Sequence, residues 1–141
     1  VKDKNRSAVK CVLCTSSPNQ HLLEIEWGRY KYSVLERSPS DYQVIREMLK
    51  DKQGDNAILF YQIVERALAL PEDKGRAVNA LEHVWGYFSD VATPAETKRY
   101  QTLRDDYLRG SAALEQVKRL LYRLSRKYQQ DYLLGSYYFA L

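Results

Sequence analysis

The chain has 141 residues and a mass of 16.5 kDa, enough for one domain that buries a single core without disulfides or metal to hold it. Hydrophobic residues make up 45% and charged residues 28%, which excludes wholesale disorder and the fibrous classes. Twenty-two Lys and Arg against eighteen Asp and Glu give a net charge of +4 and a pI near 9.0, a mild bias toward anionic partners.

Tyrosine is over-used, with twelve against three phenylalanines, so many rings keep a polar tip that suits half-buried positions, interfaces or stacking. No apolar run approaches the roughly 18 residues a membrane-spanning helix requires, and VKDKNRSAVK lacks the apolar stretch of a signal peptide. A cytoplasmic domain without a membrane partner is expected. The chain opens on Val1 rather than Met, which leaves room for sequence upstream.

Residues 1–20 read as a polar tail ending in Thr15-Ser16-Ser17-Pro18-Asn19, with Ala8 to Leu13 its only strand-like stretch. Cys11-Val12-Leu13-Cys14 has the spacing of zinc and thiol-disulfide sites. A structural zinc needs four ligands, and only His21 and His83 remain as soft donors; the redox reading wants a helix start after a strand. Two incidental cysteines are therefore expected, with no metal and no cofactor.

From His21 to Leu141 the pattern is helical. Ser38-Pro39, Leu70-Pro71 and Thr93-Pro94 each place proline where a first helical turn tolerates it. Thr93-Pro94-Ala95-Glu96 is a capping box, Gly54-Asp55 separates two helices, and Gly110-Ser111 ends one helix and caps the next. The expected fold is all-α, a compact bundle of about six helices joined by short loops. The helices run near 21–37, 39–51, 56–69, 72–89, 94–109 and 112–129, with a short helical turn after Asp131. Val78, Leu81, Val84, Trp85 and Phe88 fall in one sector of the fourth helix, and Leu114, Val117, Leu121, Leu124 and Tyr128 step by three and four along the sixth. Both stripes are expected in the core.

Two features stand off those stripes. On the fourth helix Arg76, Asn79, His83 and Tyr87 form a narrow polar line with Gly86 beside it. It suits either a ligand site or, the reading the residues favour, a second polar helix–helix seam with His83 partly buried and hydrogen-bonded. On the sixth helix Lys118, Arg119, Arg123, Arg126 and Lys127 run without an acidic residue, and Tyr122 sits among them. Such a ridge suits a phosphate backbone, with the tyrosine free to stack on an unpaired base; it equally suits a solvated helix end whose positive charge complements the macrodipole. The chain lacks G-x-S-x-G, H-E-x-x-H and phosphate-loop motifs, and the adjacent Asp105 and Asp106 diverge around their helix, so no catalytic residues are expected.

The stretch Asn79 to Phe88, with the order Asn-x-Leu-x-His-x-x-Gly-Tyr-Phe, resembles the signature of the YbgA-like domain, a bacterial and archaeal family of unknown function. Lys31-Tyr32 through Arg37-Ser38 with Tyr42, Tyr107 to Gly110, and Tyr132-Leu133 with Tyr138 resemble its other blocks, so the likeness covers about residues 27–139. Arg37, Ala77, Ala113 and Ser136 depart from the family's usual His, His, Pro and Gln, leaving Asn79, His83, Gly86 and Tyr87 as the matching positions. Members occur alone or fused behind a desulfurase that acts on thiouracil-type bases, and some are encoded beside a DNA photolyase. The resemblance implies an accessory domain that binds RNA, tRNA in particular, for a separate desulfurase or other nucleoside-modifying enzyme. The alternative from another class is a protein-interaction domain, with the tyrosines and the polar line forming a homodimer or partner interface.

Overall fold

The computed structural model describes residues 18–52 and 54–141, and among them every regular element is helical. Helix α1 (Pro18–Arg37) is followed by α2 (Pro39–Met48), α3 (Ala57–Leu68), α4 (Lys74–Trp85), α5 (Pro94–Arg109), α6 (Leu114–Lys127) and α7 (Asp131–Leu134), then a 3₁₀ turn at Tyr137–Phe139. The expected all-α bundle is observed. Cys11 and Cys14 lie outside the described residues.

The punctuation acts largely as its chemistry requires. Ser38 caps α2 by accepting the Asp41 N–H at 3.2 Å, with Pro39 behind it at the first helical position. Thr93 and Glu96 form the capping box of α5, at 3.1 Å and 2.9 Å. At the other end of α5, Gly110 takes φ 84°, and the N–H groups of Gly110 and Ser111 close onto the Tyr107 and Asp106 carbonyls. That is the double bond of a Schellman ending, which glycine adopts without a Cβ penalty.

Several boundaries differ from expectation. Helix α1 starts at Pro18, so the last residues of the supposed tail are helical. Helix α2 stops at Met48, three residues short of the expected end. Helix α4 starts at Lys74 because Asp73, and not the Leu70-Pro71 pair, supplies the cap, accepting the Arg76 N–H at 2.9 Å; beyond Trp85 it loosens into turns. Ser111 does not cap α6, since the helix starts only at Leu114, two residues too far on for the Ser111 hydroxyl to stand at the cap position. The cap falls to Ala113, whose N–H donates to Gln116 at 2.7 Å.

Packing follows the apolar stripes into two cores that share α1. Leu81 and Val84 of α4 and Phe88 just beyond it meet Val117, Leu121 and Leu124 of α6 in the larger one, with Val78 and Tyr128 half-buried at its margin. In the smaller, Leu23 and Val34 of α1 pack on Ile45 of α2 and on Phe60, Ile63 and Val64 of α3. The tyrosines serve as rings with tethered tips. Tyr100 stacks on Trp85 with centroids 4.4 Å apart and donates its hydroxyl to Glu82, while Tyr107 donates to Glu72 at 2.7 Å. The last segment crosses the bundle, with Leu133 and Tyr138 buried and Ser136 donating to the Arg29 carbonyl at 3.1 Å.

One contact inside this packing is ionic. Glu36 of α1 and Lys118 of α6 are both buried, with Nζ and Oε1 2.9 Å apart. Removing one member of a buried pair strands the other, so Lys118→Met should lower the urea-unfolding free energy by about 3 kcal/mol. Arg119→Met, one residue along but exposed, should change it by less than about 0.5 kcal/mol. Equal losses would contradict the placement.

Candidate functional site

Helix α6 has two sharply different sides. Leu114, Val117, Leu121 and Leu124 face the core, and Arg119, Tyr122, Arg123, Arg126 and Lys127 face solvent. The exposed set advances by three and four residues, so the side chains line one strip of the helix surface.

Lys118 is a correction to the expected ridge. It is only 7% exposed, and it lies a turn from Leu114 and from Leu121 on the inward side, so it faces α1 rather than solvent. Its ammonium pairs with Glu36 and sits 4.2 Å from the centroid of the Tyr138 ring, a cation–π contact inside the fold. Lys127 is exposed but engaged, donating to Glu96 at 2.7 Å. Arg119, Arg123 and Arg126 are different: among the described residues no carboxylate lies within ion-pair distance of any of them. Tyr122 stands between them with its ring 38% exposed and at 72° to Phe139.

At the Arg119 end the strip runs into a cleft of about 580 Å³. The Glu36–Lys118 pair lies in its lining, and Arg37 holds the other Glu36 oxygen at 3.1 Å while donating to the Leu70 carbonyl at 2.6 Å. Arg119 and Tyr122 belong to cleft and strip alike. Phe139 and Leu134 supply apolar wall, and Glu72 and Glu115 supply two more carboxylates. Of these, Glu36, Glu72, Glu115, Leu134 and Phe139 are not singled out by the sequence, and Arg37 stands there only as a departure from the family's usual His. A signal existed for Glu36: it stands three and four residues from Ser33 and Tyr32, on the buried side of α1.

The polar line of α4 is placed otherwise than favoured. Arg76, Asn79, His83 and Gly86 are exposed and Tyr87 is half-buried, so the line faces solvent and is no seam between helices. The reason is that α4 packs through Ala77, Ala80, Leu81, Val84 and Trp85, which leaves its opposite side uncovered. Arg76 donates to the Arg37 carbonyl at 3.3 Å, beside the cleft. Tyr87 shares a 2.8 Å hydrogen bond with the Tyr32 hydroxyl and stacks on Tyr132 at 6.5 Å. Asn79 and His83 do not line the cleft.

Near Tyr132 a second pair of cations gathers. Lys31 lies 5.9 Å from the Tyr132 ring and Arg46 lies 5.7 Å from that of Tyr42. Burial, and then repulsion from Arg46, holds the Lys31 ammonium below its ordinary pKa. Among the described residues, no group of three or more His, Cys, Asp or Glu stands where it could hold a metal ion, and no helix is long and apolar enough to cross a membrane.

Glu96 ties the lower end of the strip to α5. Lys127, then the Tyr128 hydroxyl and the Thr93 N–H, hold its carboxyl well below the ordinary value of 4.5, at about 2. A depressed folded-state pKa stabilises the fold above the unfolded value and ceases to do so as pH falls through the folded one. The stability gap between the native chain and Glu96→Gln should therefore be largest above pH 4.5 and shrink toward pH 2, read from urea midpoints. A pH-independent gap would contradict this.

No curated protein matches the chain, and no solved structure matches it. The family described as "Protein of unknown function (DUF1722)" matches residues 31–141, a span that holds the α4 motif, α6 and the cleft residues alike. The chain belongs to that family, the one the YbgA-like proteins make up.

Proposed function

We propose that this domain binds RNA, gripping phosphates with Arg119, Arg123 and Arg126 and offering Tyr122 as a stacking ring. The observation that supports the reading best is the set of three exposed guanidinium groups on one strip of α6 that have no carboxylate partner among the described residues. Lys127, at the end of the same strip, is by contrast paired with Glu96. Three free arginines in register suit a repeating anion, because each that meets a phosphate releases condensed counterions. An aromatic ring in the same strip adds contact to an unpaired base, which a duplex would not present.

The family resemblance adds tRNA as the RNA to try first and a separate desulfurase or other nucleoside-modifying enzyme as the partner it would serve. On this reading the domain works in the cytoplasm and has no catalytic role of its own. The exposed Asn79 and His83 of α4, with Tyr87, are available to position the RNA or that enzyme.

Fluorescence-anisotropy titration with bulk tRNA, with and without thiolated uridine, across a salt series tests the proposal. Three phosphate contacts should give a log–log salt slope of about −2 to −3. Replacing Arg119, Arg123 and Arg126 together by glutamate should abolish binding, and a single Arg126→Gln should reduce the slope by about 1. Unchanged affinity in the triple variant would overturn the proposal. Absence of binding at low salt, joined to a concentration-independent dimer, would favour the protein-interaction reading. Ile58 of α3, 77% exposed, and Leu22 and Ile25 of α1 would then be the surface to examine.

A further inference from the structure

The cleft at the end of the strip is chemically unlike the strip itself. Three cations, Arg37, Lys118 and Arg119, meet three carboxylates, Glu36, Glu72 and Glu115, in its lining. A phosphate entering it would face the carboxylates, and a free cation would face the guanidinium and ammonium groups. A plain hydrocarbon would offer no polar partner to Arg119 and Glu115, the two charged groups of the lining that have none among the described residues. The walls are nevertheless partly apolar, through Tyr122, Phe139 and Leu134. What suits all of these surfaces is a neutral planar ring whose edge alternates hydrogen-bond donors and acceptors, and whose faces are apolar.

Not every polar group in the lining is free for such a ring. Glu36 holds both Lys118 and Arg37, so the innermost charges are fixed and mutually neutralised. Glu72 gives one oxygen to the Tyr107 hydroxyl. Arg119 and Glu115, by contrast, have no ion pair among the described residues, although they stand one helical turn apart on the cleft's edge. A donor fork and an acceptor are thus presented together, beside an aromatic face. The volume of about 580 Å³ lies within the range of small-molecule sites.

We infer that this cleft takes one unstacked nucleobase, with Tyr122 and Phe139 against the ring and Arg119 and Glu115 on its polar edge. The inference rests on the RNA reading above, and it makes that reading more specific. Arg119 and Tyr122 line both the cleft and the strip, so a strand whose phosphates follow Arg126, Arg123 and Arg119 arrives at the cleft mouth. The domain would then read the chemistry of a single base as well as hold a backbone. A base splayed out of a strand is the form in which proteins read RNA sequence and modification.

Free ribonucleosides, which carry no phosphate, separate the cleft from the strip. In two-dimensional NMR at millimolar concentration, at least one of adenosine, cytidine, guanosine and uridine should give saturable shifts at Tyr122, Leu134, Ser136 and Phe139. Ala140→Trp, at an exposed position in the lining, fills the cleft and should weaken that binding by about tenfold or more. Arg123→Glu with Arg126→Glu should leave the nucleoside shifts intact while abolishing binding of an RNA strand. No shift from any of the four, or shifts undiminished in Ala140→Trp, would overturn the inference. Strand binding without nucleoside shifts would count against the cleft alone; nucleoside shifts without strand binding would support the cleft and count against the strip.

Discussion

The Glu36–Lys118 pair is the polar constraint that the packing of α1 and α6 has to satisfy. Two ions taken out of water cost several kcal/mol each, and only a close contact with further hydrogen bonds offsets that. Here the carboxylate has Lys118 at 2.9 Å and Arg37 at 3.1 Å, and the ammonium has the Tyr138 ring besides. The two partners lie 82 residues apart, so the pair joins the first long helix to the sixth in the same rotation of α6 that its apolar stripe of Leu114, Val117, Leu121 and Leu124 selects. With Lys118 turned inward, Arg119, Tyr122, Arg123 and Arg126 are turned outward. The pair thereby takes one cation of the helix out of the exposed set.

The same economy of polar groups explains the tyrosines. A phenylalanine in place of Tyr100 or Tyr107 would fill the same space but leave Glu82 or Glu72 without the hydroxyl that donates to it. Burial and the carboxylate beside each of these phenols push their pKa values well up. Tyr32, Tyr87 and Tyr132 do similar work between α1, α4 and α7, where ring packing and a hydroxyl pair replace aliphatic contact. Few of the twelve rings are left for a ligand, and Tyr122 is the one that stands in the arginine strip.

Local chemistry made much of the fold readable in the sequence. The Thr93–Glu96 box, the Ser38-Pro39 start and the Gly110 stop are interactions between neighbours, and neighbours are what a sequence displays. The start of α6 is less legible, because Ser111 has the chemistry of a cap while the chain runs on through the α5 ending to Ala113, which has no capping side chain, before the helix begins. At the site the limit was tertiary. Lys118 is one turn from Leu114 and Leu121, so its inward direction was legible; that an acid waited there was not, because Glu36 comes from α1. The cleft was invisible for the same reason, since its walls come from α1, the α3–α4 connection, α6 and the last residues. His83 shows the opposite error: a histidine in a polar line invites burial against a neighbour, and among the described residues no helix covers that side of α4.

If the buried pair sorts the cations as described, chemical reactivity should sort them too. Arginine and lysine footprinting by mass spectrometry, with phenylglyoxal and an acylating reagent, reads all of them in one experiment with and without tRNA. The account predicts that Lys118 stays unreactive in both states, while Arg119, Arg123 and Arg126 react in the free protein and become protected in the complex. A reactive Lys118, or arginines that RNA leaves unprotected, would contradict it.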